Sequence, residues 1–302
     1  LIKRTIIKLL NIMSGLYPLS HLISMIQILN YAKALLELGN REKAISVLKM
    51  GEKYSKSTKI RKMLSGLTGE EYDLTDFKRI KNGYERIPIK TPIIKIGDDI
   101  CEIADKLTKG IRREGDIITL ASAVTALAEG RAKSVDVIYA SPLAKLLSFF
   151  VKKDNYPFGG NAPLCNPLAM QIAINEAGLA RIIFSALFGG VLGKLFRKNG
   201  LFYRLAGPQS ALIDDMPGAI PPYDYYVILG PKDSYKTSLK IKEMTSCDAA
   251  IVDANDLGIA WVVGTSDKSK AREIEEALSD NPQGNGDQQT PIVLLRKVNV
   301  IN

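Results

Sequence analysis

The pattern of apolar residues changes near Ile87, and this change constrains the fold more than any other feature of the sequence. Before Ile87, apolar residues recur at helical spacing, as in Ile26, Leu29 and Leu35. After it, short apolar runs alternate irregularly with amphipathic stretches. The sequence therefore predicts a mixed α/β (α+β) domain preceded by a small all-α helical region.

Composition shifts along the chain place the predicted boundaries. Residues 1–66 form a helical appendage, and residues 67–86 form a polar linker that contains Gly69 and Gly83. Residues 87–302 form the main domain. A chain of 302 residues is long enough for a large domain and such an appendage.

The appendage contains one predicted helical hairpin. Gly39-Asn40 marks a helix end and a turn, and a second helix carries Ala44, Leu48 and Gly51 on one face. Together with Tyr31-Ala32, this order resembles a tetratricopeptide repeat. A single repeat cannot bury its own face, so two interpretations stay open: a partner-binding surface for another protein, or a structural cap.

The net charge of +9 belongs to the appendage. Residues 1–90 hold 17 Lys+Arg and 8 Asp+Glu, whereas residues 91–302 hold 24 of each. A basic surface can meet nucleic acid or anionic lipid, but it is also typical of a solvated helix. Few aromatic residues lie between the lysines, which argues against nucleic acid. Polar residues break the apolar stretch 5–29, so a membrane-surface role for residues 1–30 is the alternative to ordinary helix packing.

The three cysteines, Cys101, Cys165 and Cys247, are far apart and form no CxxC pair. This spacing argues against a zinc site or a disulfide framework. We therefore expect a cytoplasmic protein.

Several kinds of catalytic site are excluded by absent residues. The sequence has no P-loop, and no GxGxxG follows a predicted strand. His21 is the only histidine and lies in the appendage, which excludes histidine-based catalysis in the main domain. An acid-rich domain without histidine favours phosphate chemistry that uses Mg²⁺ or Mn²⁺ held by carboxylates.

Acidic residues cluster in the predicted loops of the main domain. Asp253 directly follows the apolar run Ile251-Val252, and Asp214 directly follows Leu212-Ile213. Carboxylates at strand ends are well placed for ligand binding, although Asp also favours caps and turns. The other clusters are Asp98-Asp99, Glu129-Gly130-Arg131, Asn255-Asp256 and the loop around Asp287.

The apolar patterns of the main domain predict individual elements. Strands are predicted at 117–120, 201–205, 225–229, 249–252 and 291–295. Helices are predicted at 100–107, 142–151, 167–177, 234–244 and 268–278.

The order of several short motifs resembles the coenzyme F420-0:L-glutamate ligases (γ-glutamyl ligases). Gly97-Asp98-Asp99-Ile100, Glu114-Gly115-Asp116-Ile117-Ile118 and Ala128-Glu129-Gly130-Arg131 follow one another at that family's spacing. Later, Leu229 to Asp233 precedes a helix that leads to an apolar strand and Asp256-Leu257-Gly258. The resemblance covers roughly residues 87–297.

This resemblance implies a ligase that joins an amino-acid amine to a small-molecule carboxylate in a γ-glutamyl-type amide. It implies GTP hydrolysis to GDP and phosphate (with ATP as a possible substitute), Mg²⁺ or Mn²⁺, and a homodimer. Asp256 matches the aspartate of the family's Asp-Thr-Phe-Gly motif. Asp214 matches a second family aspartate if a short insertion is allowed, since the ungapped match is Gln209.

The resemblance and the acidic clusters together give the candidate site. Asp256 and Asp214 are the catalytic candidates. Arg131 and Arg204 are candidate phosphate ligands, with an ion pair to Glu129 as the alternative for Arg131. The metal candidates are Asp214, Asp215, Asp253 and Asp256, and the substrate or nucleotide candidates are Asp98, Asp99, Glu129, Arg131, Arg204, Gly207, Asn255, Asp287 and Thr290.

The chain also departs from the family pattern. Ile259-Ala260-Trp261 replaces an arginine-containing continuation, and Ala123 and Thr125 occupy a region where the family often has lysine. These changes favour the alternative of a non-catalytic nucleotide- or partner-binding protein that keeps the ligase fold.

Overall fold

A computed structural model describes residues 25–55, 58–70, 79–151, 163–189, 201–215, 222–223, 225–255, 258–284 and 288–298. The predictions for residues 1–24, Asp256 and Asp287 fall outside these ranges. The chain divides into two compact units, Leu1–Asp76 and Phe77–Asn302.

The first unit contains three described helices, α1 (Met25–Glu37), α2 (Arg41–Ser55) and α3 (Thr58–Thr68). The predicted turn lies between α1 and α2, where Gly39 adopts a φ of 75°. Apolar side chains from all three helices form one core that includes Ala32, Leu48 and Leu64. The helices approach closely at Gly51, where an added Cβ would lie 2.6 Å from Cγ2 of Ile28.

The second unit is built on a six-stranded mixed sheet in the order β1-β2-β9-β3-β7-β8. Strands β3 and β7 are parallel, and the other neighbouring strands pair antiparallel. This arrangement confirms the predicted mixed α+β class. The strands of this sheet are β1 (Ile80–Lys81), β2 (Tyr84–Ile89), β3 (Ile117–Ala121), β7 (Asp248–Ala254), β8 (Ala260–Thr265) and β9 (Ile292–Lys297).

Helices cover both faces of this sheet. Helices α4 (Ile100–Thr108) and α11 (Ser234–Thr245) pack on a core that includes Ile118, Ile251 and Leu294. Helix α12 (Ala271–Leu278), which a 3₁₀ turn at Lys268–Lys270 precedes, packs on the opposite core with Val252 and Val293. Successive residues of β7 alternate between the two cores, as a strand buried on both faces requires.

A second, three-stranded sheet lies within the same unit, with the order β4-β6-β5. An apolar core that includes Met170, Ile182, Ile213 and Val227 joins this sheet to a group of helices. The strands are β4 (Ala132–Ser134), β5 (Asp214–Asp215) and β6 (Tyr226–Ile228). The helices are α6 (Pro142–Phe150), α7 (Pro167–Ala177), α8 (Leu179–Phe184), α9 (Leu201–Ala206) and α10 (Pro208–Ala211), with a π turn at Ser185–Gly189 and 3₁₀ turns at Val135–Val137 and Pro163–Cys165. Helix α5 (Ser122–Ala128) follows β3 and packs with β4 and β6 through a small core that includes Ala126 and Ile228.

The structure corrects one predicted element. Residues 201–205 are predicted as a strand but form helix α9, which ends at Ala206 before Gly207. Leu201, Tyr203 and Leu205 alternate with other residues, but a window of five residues cannot separate a strand from a short helix. The structure also places β1 and the first residues of β2 within the segment predicted as a linker.

Within the described residues, no single helix combines the length and hydropathy needed to cross a membrane. One bent pair, Pro167–Ala177 with Leu179–Gly189, passes the same test when the two helices are taken together, with an angle of 117° between them.

Candidate functional site

Asp253 lies at the carboxyl end of β7, next to the end of β3. The parallel register pairs Ala121 of β3 with Val252 of β7, so Ser122 and Asp253 are the next residues along each strand. Ser122 is buried at the start of α5, and its hydroxyl donates a 3.2 Å hydrogen bond to Oδ1 of Asp253. The Asp253 carboxylate is therefore held at the sheet end where mixed α/β folds bind ligands.

Asp214, on β5 of the second sheet, is the electrostatic neighbour of Asp253. Burial raises the pKa of Asp253 to about 6, and the charge of Asp214 adds to this effect, while the Ser122 hydrogen bond opposes it. Burial also raises the pKa of Asp214. The Asp214 side chain itself is exposed. The fold therefore brings Asp214 close enough for its charge to oppose the ionisation of Asp253.

The turn after β7 is closed by Asn255. Its backbone N–H donates to the carbonyl of Ile259 at 3.0 Å, and its Oδ1 accepts a 3.4 Å hydrogen bond from the Ile259 N–H. Asn255 therefore fixes the two ends of the turn that contains Asp256. The backbone of Asp215 pairs with Val227, and its side chain lies outside the described part of the structure.

The early aspartates stabilise local structure. Asp98 accepts a 2.7 Å hydrogen bond from the Lys95 N–H and closes a turn. Asp99 caps α4 by accepting hydrogen bonds from the N–H groups of Cys101 and Glu102. Lys240 donates to Asp99 at 2.6 Å, and this hydrogen bond is the main reason that the pKa of Asp99 lies below its usual range. A substrate role for either residue stays a prediction.

Arg131 is engaged by protein groups rather than by Glu129. Its guanidinium donates to the Gly230 carbonyl at 2.5 Å, to Glu176 at 2.7 Å and to Gln209 at 3.0 Å. Glu129 instead accepts a 2.6 Å hydrogen bond from the Lys232 N–H. The side chains of Arg131 and Glu129 therefore link the segment after α5 to the loop before α11.

The remaining described candidates lie on other elements. Arg204 is exposed on α9. Gly207 begins α10 with a φ of 101°, and an added Cβ would lie 2.8 Å from a guanidinium nitrogen of Arg181. Thr290 donates to the Gln283 carbonyl at 3.2 Å. No contact joins these residues to the carboxylate pair among the hydrogen bonds of the described residues.

Two residues near the pair were not predicted from the sequence. Ser122 is an ordinary residue after a strand, and only the parallel pairing of β3 and β7 places it beside Asp253. Trp261 pairs directly with Asp253 across β7 and β8 and lies half-buried against the core of the helical group. Within the described residues, no group of three or more His, Cys, Asp or Glu side chains could hold a metal ion.

Comparison with protein families gives a match over residues 88–187, to the family described as F420-0:Gamma-glutamyl ligase. This segment is similar to the F420-0:gamma-glutamyl ligase family. The match confirms the resemblance seen in the motifs around Asp98, Glu114 and Glu129, and it supports a ligase. No curated protein matches the chain.

The matched ligase segment contains Ser122 but neither carboxylate of the pair. It runs from β2 to the π turn after α8, whereas Asp214 and Asp253 come later in the chain. Their proximity is therefore evidence from the fold alone, and it is independent of the family match.

Proposed function

We propose that the chain is a ligase that depends on a nucleotide and a divalent metal and joins a carboxylate to the amine of an amino acid. GTP is the proposed nucleotide, hydrolysed to GDP and phosphate, and the product is a γ-glutamyl-type amide. The observation that carries this proposal is the pair of Asp253, at the sheet end, and Asp214, whose charge adds to the effect of burial in raising the pKa of Asp253.

The pair suits Mg²⁺ or Mn²⁺. Two neighbouring carboxylates repel each other when both are ionised, and a divalent cation between them removes that cost. Mg²⁺ is commonly held by one or two carboxylates while phosphate oxygens and waters complete its ligands. Hard oxygen donors without histidine or thiolate favour these cations over zinc.

Each residue of the pair has a role in the proposed site. Asp214 and Asp253 hold the cation, and Ser122 orients the Asp253 carboxylate through its hydrogen bond. Bound metal would offset negative charge on the transferring phosphoryl group. Asp215 and Asp256 are proposed to add ligands from β5 and from the turn that Asn255 closes. Arg204 is the proposed phosphate contact, since Arg131 is engaged elsewhere.

The proposal includes three further expectations from the family resemblance and the sequence. The ligase acts as a homodimer, with a small-molecule carboxylate and an amino acid as substrates. Asp287 and Thr290 close over the bound substrates. The spacing of Cys101, Cys165 and Cys247, which form no CxxC pair, suits a reducing cytoplasm.

One observation favours the alternative of a binding protein without catalysis. The guanidinium of Arg131, in the Ala128-Glu129-Gly130-Arg131 motif, donates hydrogen bonds to Gly230, Glu176 and Gln209. These bonds give Arg131 a structural role instead of a phosphate contact. Such a protein could bind metal and nucleotide but would release no phosphate in the presence of an acceptor and an amino acid.

The test combines binding and turnover on the full chain. Thermal unfolding is measured with GTP, ATP or GDP, each with Mg²⁺, Mn²⁺ or EDTA, and phosphate release is measured with L-glutamate and a panel of carboxylates. A ligand at about 100 times its Kd stabilises the folded state by about 2.7 kcal/mol, which shifts the Tm measurably. We expect a metal-dependent shift with GTP and phosphate release that requires both substrates.

Asp253→Asn is the decisive variant because it keeps the shape of the side chain and removes its charge. We expect it to abolish the metal-dependent shift, whereas Glu243→Gln, an exposed position on α11, behaves as the parent. A shift without phosphate release supports the binding protein. If no nucleotide shifts the Tm with any metal, the ligase proposal is wrong.

A further inference from the structure

Helix α6 is amphipathic, but its largest apolar side chains face outward. Leu146, Phe149 and Phe150 stand at positions i, i+3 and i+4, so they share one side of the helix. Phe149 is 83% exposed and Phe150 is 70% exposed, and their rings contact each other edge to face. The buried side of α6 carries the smaller Ala144 and Ser148. Exposed apolar clusters of this kind mark a surface that another apolar body covers.

A second stripe with the same spacing lies where α8 continues into the π turn. Phe184, Leu187 and Phe188 are all exposed, and the two phenylalanine rings contact each other. Helix α8 packs through Ile182 on the same core that α6 contacts through Ala144. The helical group therefore exposes two apolar stripes, on two of its elements.

The charges in the segments that carry these stripes all have one sign. Residues 137–153, which contain α6, hold three lysines and no Asp or Glu. Residues 177–213, which contain α8 and the π turn, hold five Lys+Arg and no Asp or Glu. Residues 91–302 hold 24 of each sign, so these two segments concentrate positive charge in a domain that is otherwise acidic. One of the cations, Lys145, is exposed on α6 itself, next to Leu146.

This charge distribution decides between a second copy of the chain and a lipid surface as the body that covers α6. A symmetric dimer contact presents the same patch from both subunits, which would bring cations close to cations. An anionic bilayer offers apolar acyl chains to Phe and Leu and negative headgroups to Lys and Arg. Helix α6 is about 14 Å long, too short to cross a hydrocarbon core of roughly 30 Å, so its place is in the plane of the interface.

We propose that the helical group binds the surface of an anionic lipid bilayer through α6, with Phe149 and Phe150 inserted at the boundary between headgroups and acyl chains. The cations of residues 137–153 and 177–213 attract the headgroups. This inference is independent of the proposed ligase activity, and the proposed homodimer then uses another surface. It assigns membrane binding to the second unit rather than to residues 1–30.

Vesicle sedimentation with the full chain tests the proposal. One set of vesicles is phosphatidylcholine alone, and the other is an equimolar mixture of phosphatidylcholine and phosphatidylglycerol. We expect the parent to bind the mixed vesicles at least about tenfold more tightly than the neutral ones, because each cation near an anionic surface adds to the attraction. Lys145→Gln should weaken binding to the mixed vesicles about fivefold and leave binding to the neutral ones unchanged.

The decisive variant combines Phe149→Ser with Phe150→Ser. Because both rings are exposed, their loss removes little buried surface, and circular dichroism should show an unchanged fold. We expect its binding to the mixed vesicles to fall at least about tenfold, since two rings no longer leave water on binding. Tyr235→Ser is the control, because this exposed aromatic residue lies on α11, outside the helical group, and the variant should bind as the parent does.

The mass of the parent and of the double variant, measured by light scattering without lipid, completes the test. Loss of vesicle binding with an unchanged mass supports the bilayer contact. Equal vesicle binding by the parent and the double variant overturns it and assigns the binding to the basic appendage. The proposal is also wrong if the parent does not bind the mixed vesicles, or if the double variant has a lower mass, which would make α6 an interface between copies of the chain.

Discussion

At the scale of single residues, Asp253 occupies an unfavourable place for a negative charge. Burial raises its pKa from 3.8 to about 6, and the charge of Asp214 acts in the same direction. Its compensation within the described residues is one hydrogen bond, from Ser122. A carboxylate in such surroundings is characteristic of a functional site rather than of a solvated surface.

This raised pKa predicts how stability depends on pH in the absence of metal. A carboxyl group with a raised folded-state pKa binds its proton more tightly in the folded than in the unfolded protein. The metal-free protein should therefore lose stability as pH rises from about 4 to about 6, by up to about 3 kcal/mol for a shift of about two units. Above about pH 6 this contribution to the free energy of unfolding no longer changes with pH.

Asp253→Asn removes this cost because it cannot ionise. With EDTA present, we expect the variant to be more stable than the parent at pH 8 and similar to it at pH 4, measured by urea unfolding. Added Mg²⁺ or Mn²⁺ should stabilise the parent and leave the variant unchanged. A variant that is less stable than the parent at pH 8 would show that Asp253 is stabilised rather than strained by its neighbours.

The sequence singles out Asp214 and Asp253 as candidates but does not predict how they are arranged. Asp214 and Asp253 stand out because each follows an apolar run, yet Asp98 and Asp99 are equally conspicuous in the sequence. The structure separates them by their partners, since Asp99 caps α4 and pairs with Lys240. The pairing of β3 with β7 joins positions 131 residues apart, as between Ser122 and Asp253, and no local pattern contains that information.

At the scale of elements, the sequence predicts long or strongly patterned segments and fails on short ones. Helices at 167–177 and 234–244 and the strand at 249–252 are confirmed, because their apolar residues or caps define them locally. Helix α9 is mistaken for a strand because its helical form depends on packing. Tyr203 and Ala206 lie in the core of the helical group, and Gly207 then ends the helix with a positive φ.

Strand β8 packs closely against α11 at Gly264 and pairs with β7, the strand that carries Asp253. Gly264 pairs with Ile251, and an added Cβ would lie 2.6 Å from the backbone carbonyl carbon of Ser234 at the start of α11. Because that contact is with backbone, either the strand or the helix must move. We expect Gly264→Ala to destabilise the protein by about 1–3 kcal/mol and to weaken metal binding at Asp253.

The matched control for this prediction is Gly110→Ala, where an added Cβ meets no atom within 4 Å. Chemical unfolding and a Mn²⁺ titration followed by Trp261 fluorescence measure the two effects. Equal stability of the two variants would contradict the close approach of β8 to α11.

At the scale of the whole molecule, the two compact units have separate cores. The first unit is held by α1, α2 and α3, and its described core residues all come from those helices. The second unit contains both sheets and the only tryptophan. Circular dichroism observes the helices of both units, whereas tryptophan fluorescence observes the second unit alone, so the stability of each can be followed in the intact chain.

Gly51→Leu should destabilise the first unit selectively. Its Cβ would lie 2.6 Å from Ile28 and 3.2 Å from Ile60, so a larger side chain would force the three helices apart at a cost of about 1–3 kcal/mol. Gly66→Leu on α3 is the control, because a Cβ there meets no atom within 4 Å and leucine favours a helix over glycine. We expect Gly51→Leu to lower the midpoint of an early circular-dichroism transition while the Trp261 transition and metal binding stay unchanged. A parallel fall in both transitions would show that the units unfold as one, and the role of the helical appendage would then be to stabilise the second unit rather than to contact a partner.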